Sequence, residues 1–204
     1  MSNEEEKTTG LVPSPSSVLS CVGSTSLAQR GMQDWLAAEE AEQWLKKGLE
    51  FSAQGLHEEA ALWYRKAADQ GDTDAQFNLA LMYRDGQGVP RDLQQFISWC
   101  RKSADQGYIQ AQIQLGFIYD EGGEVAELQD YTQAAYWYLK IATTSDYSDA
   151  DEFQRRLGQM YENGLGVPKD IEQSIYWYRK AAERGNEAAK AALATLRQQI
   201  TRKG

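Results

Sequence analysis

Gly86-Gln87-Gly88-Val89-Pro90-Arg91-Asp92 returns as Gly164-Leu165-Gly166-Val167-Pro168-Lys169-Asp170, and seven residues after each aspartate stands a tryptophan, Trp99 or Trp177. A third copy, Gly122-Gly123-Glu124-Val125-Ala126-Glu127-Leu128-Gln129-Asp130, is two residues longer and leads at the same spacing to Trp137. Trp63 belongs to the same series, and every one of the four opens a variant of W-Y-x-K-A-A. A self-similar period close to the mid-thirties marks a chain of stacked supersecondary units, so the repeat decides the fold.

Upstream of the glycines the copies agree again. Ala75-Gln76-Phe77-Asn78-Leu79-Ala80-Leu81-Met82-Tyr83 matches Ala111 to Tyr119 and, more loosely, Phe153 to Tyr161, and Gly86, Gly122 or Gly164 follows each tyrosine by three residues. One unit therefore reads as a helix, a glycine-rich turn and a second helix. Leu93, Phe96, Ile97, Cys100 and Ala104 fall at offsets 0, 3, 4, 7 and 11, one face of a 3.6-residue spiral. In the turn, Gly86 or Gly88 suits a left-handed backbone, Pro90 stops the first helix, and Asp92 places a carboxylate at the start of the second. A lone hairpin cannot cover its own apolar stripe, whereas a stack of them can.

These residues resemble the Sel-one-like repeat, a longer relative of the tetratricopeptide repeat, over roughly Ala41 to Leu196. The resemblance implies an all-α fold: a right-handed α/α superhelical solenoid of about four helix-turn-helix repeats and a C-terminal capping helix. Two units depart from the pattern. The first has Trp44, Gly48, Phe51 and a tight Gln54-Gly55-Leu56 turn but no G-x-G-V-x-x-D; the third carries insertions near Glu127 and between Ser145 and Phe153, where Gly71 and Gly107 lead one to expect glycine.

One substitution tests the register. The second unit has Cys100 where the others have Tyr64, Tyr138 and Tyr178, and Phe96 where they have Ala60, Ala134 and Ser174. Residues four apart are stacked neighbours on a helix, so a ring lost at one site is regained one turn away. Phe96 is expected to be buried in the volume that the tyrosines fill elsewhere.

With 42% hydrophobic and 25% charged residues, the 204-residue chain has material for a continuous core. Residues 1–30 hold Glu4-Glu5-Glu6, Pro13, Pro15 and many Ser and Thr, and read as a disordered acidic, Ser/Pro-rich tail preceding a repeat domain over 31–204. A helix is expected from near Asp34 through Trp35, Leu36, Ala41 and Leu45, either continuous to Gln54 or as a short cap before the first unit. At the other end Ala189, Leu193 and Ala194 match the first helix of a fifth unit, with Arg197 in place of its tyrosine, as suits a cap.

Val18-Leu19-Ser20-Cys21 resembles a lipoprotein cleavage box, but what precedes it is acidic and proline-broken, without an apolar core. No stretch has the length and apolarity of a membrane span. With only Cys21 and Cys100, a disulfide framework is not expected, which points to a cytoplasmic location, a periplasmic one staying compatible. The net charge is −9, of which the tail supplies −1 (three Glu against Lys7 and Arg30), leaving −8 on the repeats. That sign repels nucleic acid and favours basic or amphipathic protein partners.

Catalytic constellations are missing from the pattern. His57 is the single histidine and reads as a solvated or helix-starting residue; Cys100 reads as an inert thiol on a core stripe; Asp146, Asp149, Asp151 and Glu152 crowd one loop without calcium-loop spacing. No cofactor and no metal are expected, and no enzyme activity. The family analogy places first helices on a concave binding face. Mapped by the Leu and Tyr anchors, that face is Leu45 and Leu49 in the first unit, Phe77, Leu81, Arg84 and Asp85 in the second, Ile113, Phe117, Asp120 and Glu121 in the third, and Arg155, Gln159, Glu162 and Asn163 in the fourth. The expected function is a non-catalytic adaptor or scaffold gripping a protein segment in this groove. Bacterial proteins with such repeats also include neutralising partners of toxic effectors, an alternative that the acidic charge accommodates. Cysteine-rich relatives associated with β-lactam binding or hydrolysis suggest a third, weaker reading, since their cysteine pairs are absent.

Overall fold

The computed structural model of the protein describes residues 27–122, 128–144 and 147–203, with side chains described between 29 and 201. Cys21, Glu127, Ser145 and Asp146 lie outside the described residues, as does the tail up to residue 26. Among the described residues every regular element is an α-helix: α1 Leu27–Ala53, α2 His57–Asp69, α3 Thr73–Asp85, α4 Leu93–Asp105, α5 Ile109–Glu121, α6 Tyr131–Thr143, α7 Ala150–Asn163, α8 Ile171–Glu183 and α9 Glu187–Lys203. None is long and apolar enough to cross a membrane. The first helix is continuous to Ala53 and starts at Leu27, earlier than the expected Asp34. Ala37 and Ala38 separate two packing units within its length. Residues 27–37 expose Met32, Trp35 and Leu36; everything below concerns residues 38–203.

Each of α3, α5 and α7 packs on the second helix of its own hairpin and on the second helix of the one before, and α9 packs on α8, so α2 to α9 form one layered array. The G-x-G-V-P-x-D turn works as two devices in succession. Gly86, Gly122 and Gly164 cap α3, α5 and α7 in the left-handed region, at φ 68°, 72° and 76°. It is Gly86 that ends α3 at Asp85; Pro90 lies beyond the stop and rigidifies the exit. The second glycine serves packing: a Cβ at Gly88 or Gly166 would stand 2.1 Å from the main chain of His57 or Tyr131, at the start of α2 or α6. Asp92 then accepts hydrogen bonds from the Gln94 and Gln95 amides at 2.9 and 3.0 Å, while its own N–H donates to the Tyr83 carbonyl at 2.9 Å. Asp130 and Asp170 repeat both bonds. Each such N-cap contributes about 1 kcal/mol.

Between hairpins a buried glutamine supplies the joint. Gln76, Gln112 and Gln154 each donate to a carbonyl at the end of the preceding second helix, those of Ala68, Ala104 and Ala142. Helix ends leave such carbonyls unsatisfied, and in a buried junction a side chain must serve them. Trp99, Trp137 and Trp177 are buried in the stack, and Trp63 partly so. The lysine three residues after the tryptophan lies over the indole at 4.2 Å for Lys66 on Trp63, 3.6 Å for Lys102 on Trp99 and 4.9 Å for Lys140 on Trp137.

The register is the expected one. Phe96 is 1% exposed and Cys100 is fully buried. The exchange extends to a third position. Where the ring is present, it lies flat against a glycine of the first helix: a Cβ on Gly48, Gly116 or Gly158 would approach the ring of Tyr64, Tyr138 or Tyr178 to 2.5, 2.6 or 2.6 Å. The second unit, with Cys100 in place of the ring, has Ala80 at this position. Ring and methyl group exclude each other there.

Candidate functional site

Two clefts lie side by side along the first helices, and they meet at Phe117. The first, about 200 Å³, is walled by Leu93, Phe96, Phe117, Ile118 and Leu128, with Arg84, Gln114 and Glu121 at its rim. The second, about 280 Å³, lies between α5 and α7, with Phe117, Tyr138 and Phe153 as its aromatic wall and Glu121, Asp120, Arg155 and Arg156 as its polar one. Phe117 projects between them 43% exposed, its ring 6.3 Å from Tyr138 and 6.0 Å from Phe153, centroid to centroid. Packing from beneath holds the phenyl group while its outer edge meets solvent.

The charged groups around the clefts are mostly bound to one another. Arg84 grips Asp85 through Nε and Nη2 at 2.7 and 3.0 Å, and its Nη1 reaches Gln114 on α5 at 3.2 Å. Arg155 holds Glu152 with two bonds of 3.0 and 2.5 Å, which lowers the Glu152 pKa. The Asp120 carboxylate, 6% exposed, takes a fork of two bonds from Arg156, at 2.6 and 2.5 Å, and a third from the Tyr138 hydroxyl at 3.0 Å. Burial, with the Asp120 charge acting in the same sense, pushes the Tyr138 phenol far above its ordinary pKa and keeps it a donor. This triad ties α5, α6 and α7 together under the second cleft. Tyr178 repeats the arrangement by donating to Glu162 at 2.8 Å.

Of the residues that the family analogy selects, Arg84, Phe117, Asp120, Glu121 and Arg155 line the clefts. Four others take different places. Ile113 is buried in the core rather than in the groove, and Phe77 packs its ring 5.1 Å from Tyr108. Leu45 and Leu81 are half-buried against the core. Of the apolar residues Phe77, Leu81, Ile113 and Phe117, Ile113 is buried, Phe77 and Leu81 stay partly exposed, and Phe117 is the most exposed. Leu49 is exposed on α1 and Asp85 on α3. Gln159 accepts from Arg156, and Asn163 donates to the Gln159 carbonyl, so both brace α7. Asn163 and Glu162 border a further cleft toward Leu196 and Ile200 of α9.

The sequence reading misses Arg156, Tyr138, Phe153, Ile118 and Leu128. Arg156 carries no signal of its own beside Arg155, since only the crossing of α5 and α7 brings it to Asp120. His57 is the first residue of α2, with Nδ1 buried and unbonded. Cys100 donates to the Ala111 carbonyl at 3.4 Å, and burial pushes its thiol up to about 12. In the acidic loop, Asp151 and Glu152 accept from Asn186, and Arg184 clamps the Tyr147 and Ser148 carbonyls. Among the described residues no group of three or more His, Cys, Asp or Glu is placed to hold a metal ion.

The layered hairpins, their glycine caps and their ring-on-glycine joints coincide with a Sel1 repeat family model at residues 54–72, 73–108, 109–143 and 151–186. The chain belongs to the Sel1 repeat family. Among curated proteins it is similar to the DAP3-binding cell death enhancer 1 of Rattus norvegicus, 39% identical over 73% of this chain and 35% of that protein. It is also similar to an exopolysaccharide production negative regulator of Rhizobium leguminosarum bv. viciae, 29% identical over 74% of this chain and 60% of the other. The Sel1 chain thus spans about a third of the rat relative's length and less than two thirds of the rhizobial one's. Among solved structures it is similar to a Sel1 repeat protein of Oxalobacter formigenes, with TM-score 0.56 and 34% identity over 68% of this chain and 54% of that one. A protective antigen of uropathogenic Escherichia coli with the same fold gives TM-score 0.50 and 30% identity over 85% and 36%. Family and fold are therefore those of a Sel1 α/α solenoid, and Sel1 repeat proteins mediate protein–protein interaction.

Proposed function

We propose that this Sel1 array is a non-catalytic adaptor that binds a segment of another protein across its first helices, with Phe117 as the anchor between two clefts. The observation that carries this reading is the exposed edge of Phe117 between apolar walls. A half-exposed ring held rigid from beneath, rimmed by satisfied ion pairs, is a surface for side chains of another polypeptide. The rat relative, named for binding DAP3, supports the class of function. The repeats' net charge of −8 favours a basic partner by long-range attraction. A buried, protonated thiol at Cys100 supports the non-catalytic part of the reading.

The test is affinity capture from the native cell with the wild-type chain and with Phe117→Asp. Leu81→Asp is the poorer choice, because Leu81 is half-buried and its loss would disturb packing. The expected result is a protein retained by the wild type and lost from Phe117→Asp at unchanged helicity. Undiminished capture by the folded variant would move the site elsewhere. Turnover of β-lactam or ester substrates that one point mutation removes would overturn the non-catalytic reading.

A further inference from the structure

We propose that the joint between α6, α7 and α8 is a binding pocket for a primary carboxamide, the group carried by glutamine and asparagine side chains. A cavity of about 390 Å³ opens there, with Gln154 of α7 and Trp177 of α8 in its wall and the exposed Lys180, Glu183 and Arg184 around it. It shares no residue with the Phe117 clefts. Gln154 and Trp177 are 5% and 7% exposed, and Gln154 Oε1 and Trp177 Nε1 are buried without a hydrogen-bond partner. Gln154 Nε2 donates to the Ala142 carbonyl at 3.1 Å, which fixes the orientation of the amide and leaves its acceptor as the unserved atom. Buried polar atoms are ordinarily paired. A group that satisfies this wall donates to the Gln154 oxygen and accepts from the Trp177 indole.

The chain itself supplies such a group in the equivalent joint between α2, α3 and α4. Gln76 donates to the Ala68 carbonyl as Gln154 does to that of Ala142, and its Oε1 accepts at 2.8 Å from the carboxamide of Gln106, which also reaches the Gly71 carbonyl at 3.1 Å. Gln106 stands seven residues after Trp99, and seven residues after Trp177 stands Arg184. Arg184 donates through Nη2 to the Tyr147 and Ser148 carbonyls, at 2.7 and 3.0 Å, so no amide from this position serves Gln154. Trp137 Nε1 is unbonded as well, so the indole by itself singles out no site. The unserved glutamine oxygen beside a cavity does. That cavity exceeds the roughly 30 Å³ share of one water molecule, and its long exposed side chains can swing aside on entry. A carboxylate offers only acceptors and would meet the lone pairs of Gln154 Oε1, so the pocket selects amide over acid.

The test follows the Trp177 indole N–H signal in proton–nitrogen correlation spectra of the isotope-labelled full chain, assigned by its loss in Trp177→Phe. The probes are L-glutamine, L-glutamate and the blocked tripeptides Ala-Gln-Ala and Ala-Glu-Ala. A saturable shift is expected with free glutamine or with the Gln tripeptide, at about tenfold lower concentration than with the matching acid. Saturation by free glutamine assigns the pocket to a small molecule, and saturation by the tripeptide alone assigns it to a side chain of a partner protein. Gln154→Met should abolish the response. Arg184→Gln should abolish it too, by bringing the amide from within the chain, whereas Arg184→Met should keep it; the other indole signals report that each variant is folded. No saturable shift with either amide probe, or equal response to amide and acid, would overturn the proposal. A response that persists in Gln154→Met, or that is equal in Arg184→Gln and Arg184→Met, would overturn the roles given to Gln154 and to the comparison with Gln106.

Discussion

Gly116→Ala adds one methyl group to the middle of α5, and the array leaves no room for it. The new Cβ would stand 2.6 and 2.9 Å from two ring carbons of Tyr138. The ring cannot retreat, since it is 1% exposed and its hydroxyl is tied to Asp120, which Arg156 holds in turn. Overpacking of this kind costs about 1–3 kcal/mol. Alanine's better helix propensity returns about 1 kcal/mol, leaving a net loss of up to about 2 kcal/mol. At this chain length that lowers the unfolding midpoint by at most roughly 4–8 °C. Because solenoid stability sums local unit and interface contributions, hydrogen exchange should accelerate first in α5 and α6. The second unit shows the compensation. Combining Gly116→Ala with Tyr138→Cys and Ala134→Phe copies the set found at Ala80, Cys100 and Phe96, and in that background the added methyl should become neutral or stabilising. Circular dichroism melts of Gly116→Ala, the Tyr138→Cys/Ala134→Phe pair and the triple variant measure the coupling. A higher midpoint for Gly116→Ala alone, or strictly additive changes, would show that propensity governs the position and that the ring contact does not.

Two further outcomes test the turn and the core. Asp170→Ala removes the acceptor for the Glu172 and Gln173 amides and should cost about 1 kcal/mol, with Asp170→Asn recovering most of it; equal melts for Asp170→Ala and the wild type would refute the capping role. Cys100 in the native protein should resist thiol reagents until the chain unfolds. Its folded pKa is raised, so its contribution to stability is complete below the unfolded value near 9.0 and is lost as pH rises from there toward about 12, because the unfolded chain ionises first. A Cys100→Ala variant should lose that part of the alkaline decline; an identical decline in both chains would assign it to other groups.

The sequence places side chains well where repetition carries the information and poorly where geometry between units does. Phe117, Glu121, Arg84 and Arg155 reach the clefts as the aligned anchors expect, because each occupies a repeat position whose outward direction is fixed by the helix period, whereas Asp120, expected beside them, is buried beneath the second cleft in the grip of Arg156 and Tyr138. Ile113 is placed in the groove by the same alignment but lies in the core. Its position along α5 follows the repeat, but its side chain packs in the buried core, while Phe77 on α3 stays partly exposed beside Tyr108. Arg156 is missed because its partner Asp120 is 36 residues away, in a different hairpin.

The primary structure on its own determined the helical hairpins, their turns, their register and their number, since glycine caps, aspartate N-caps and the 3.6-residue stripe act within a few residues of chain and recur in copies that check one another. What only the tertiary structure decided is which outward-facing side chains stay outside. That depends on how closely successive hairpins approach, and the buried fork from Arg156 to Asp120 that helps to set this distance joins two different repeats and is written in neither alone.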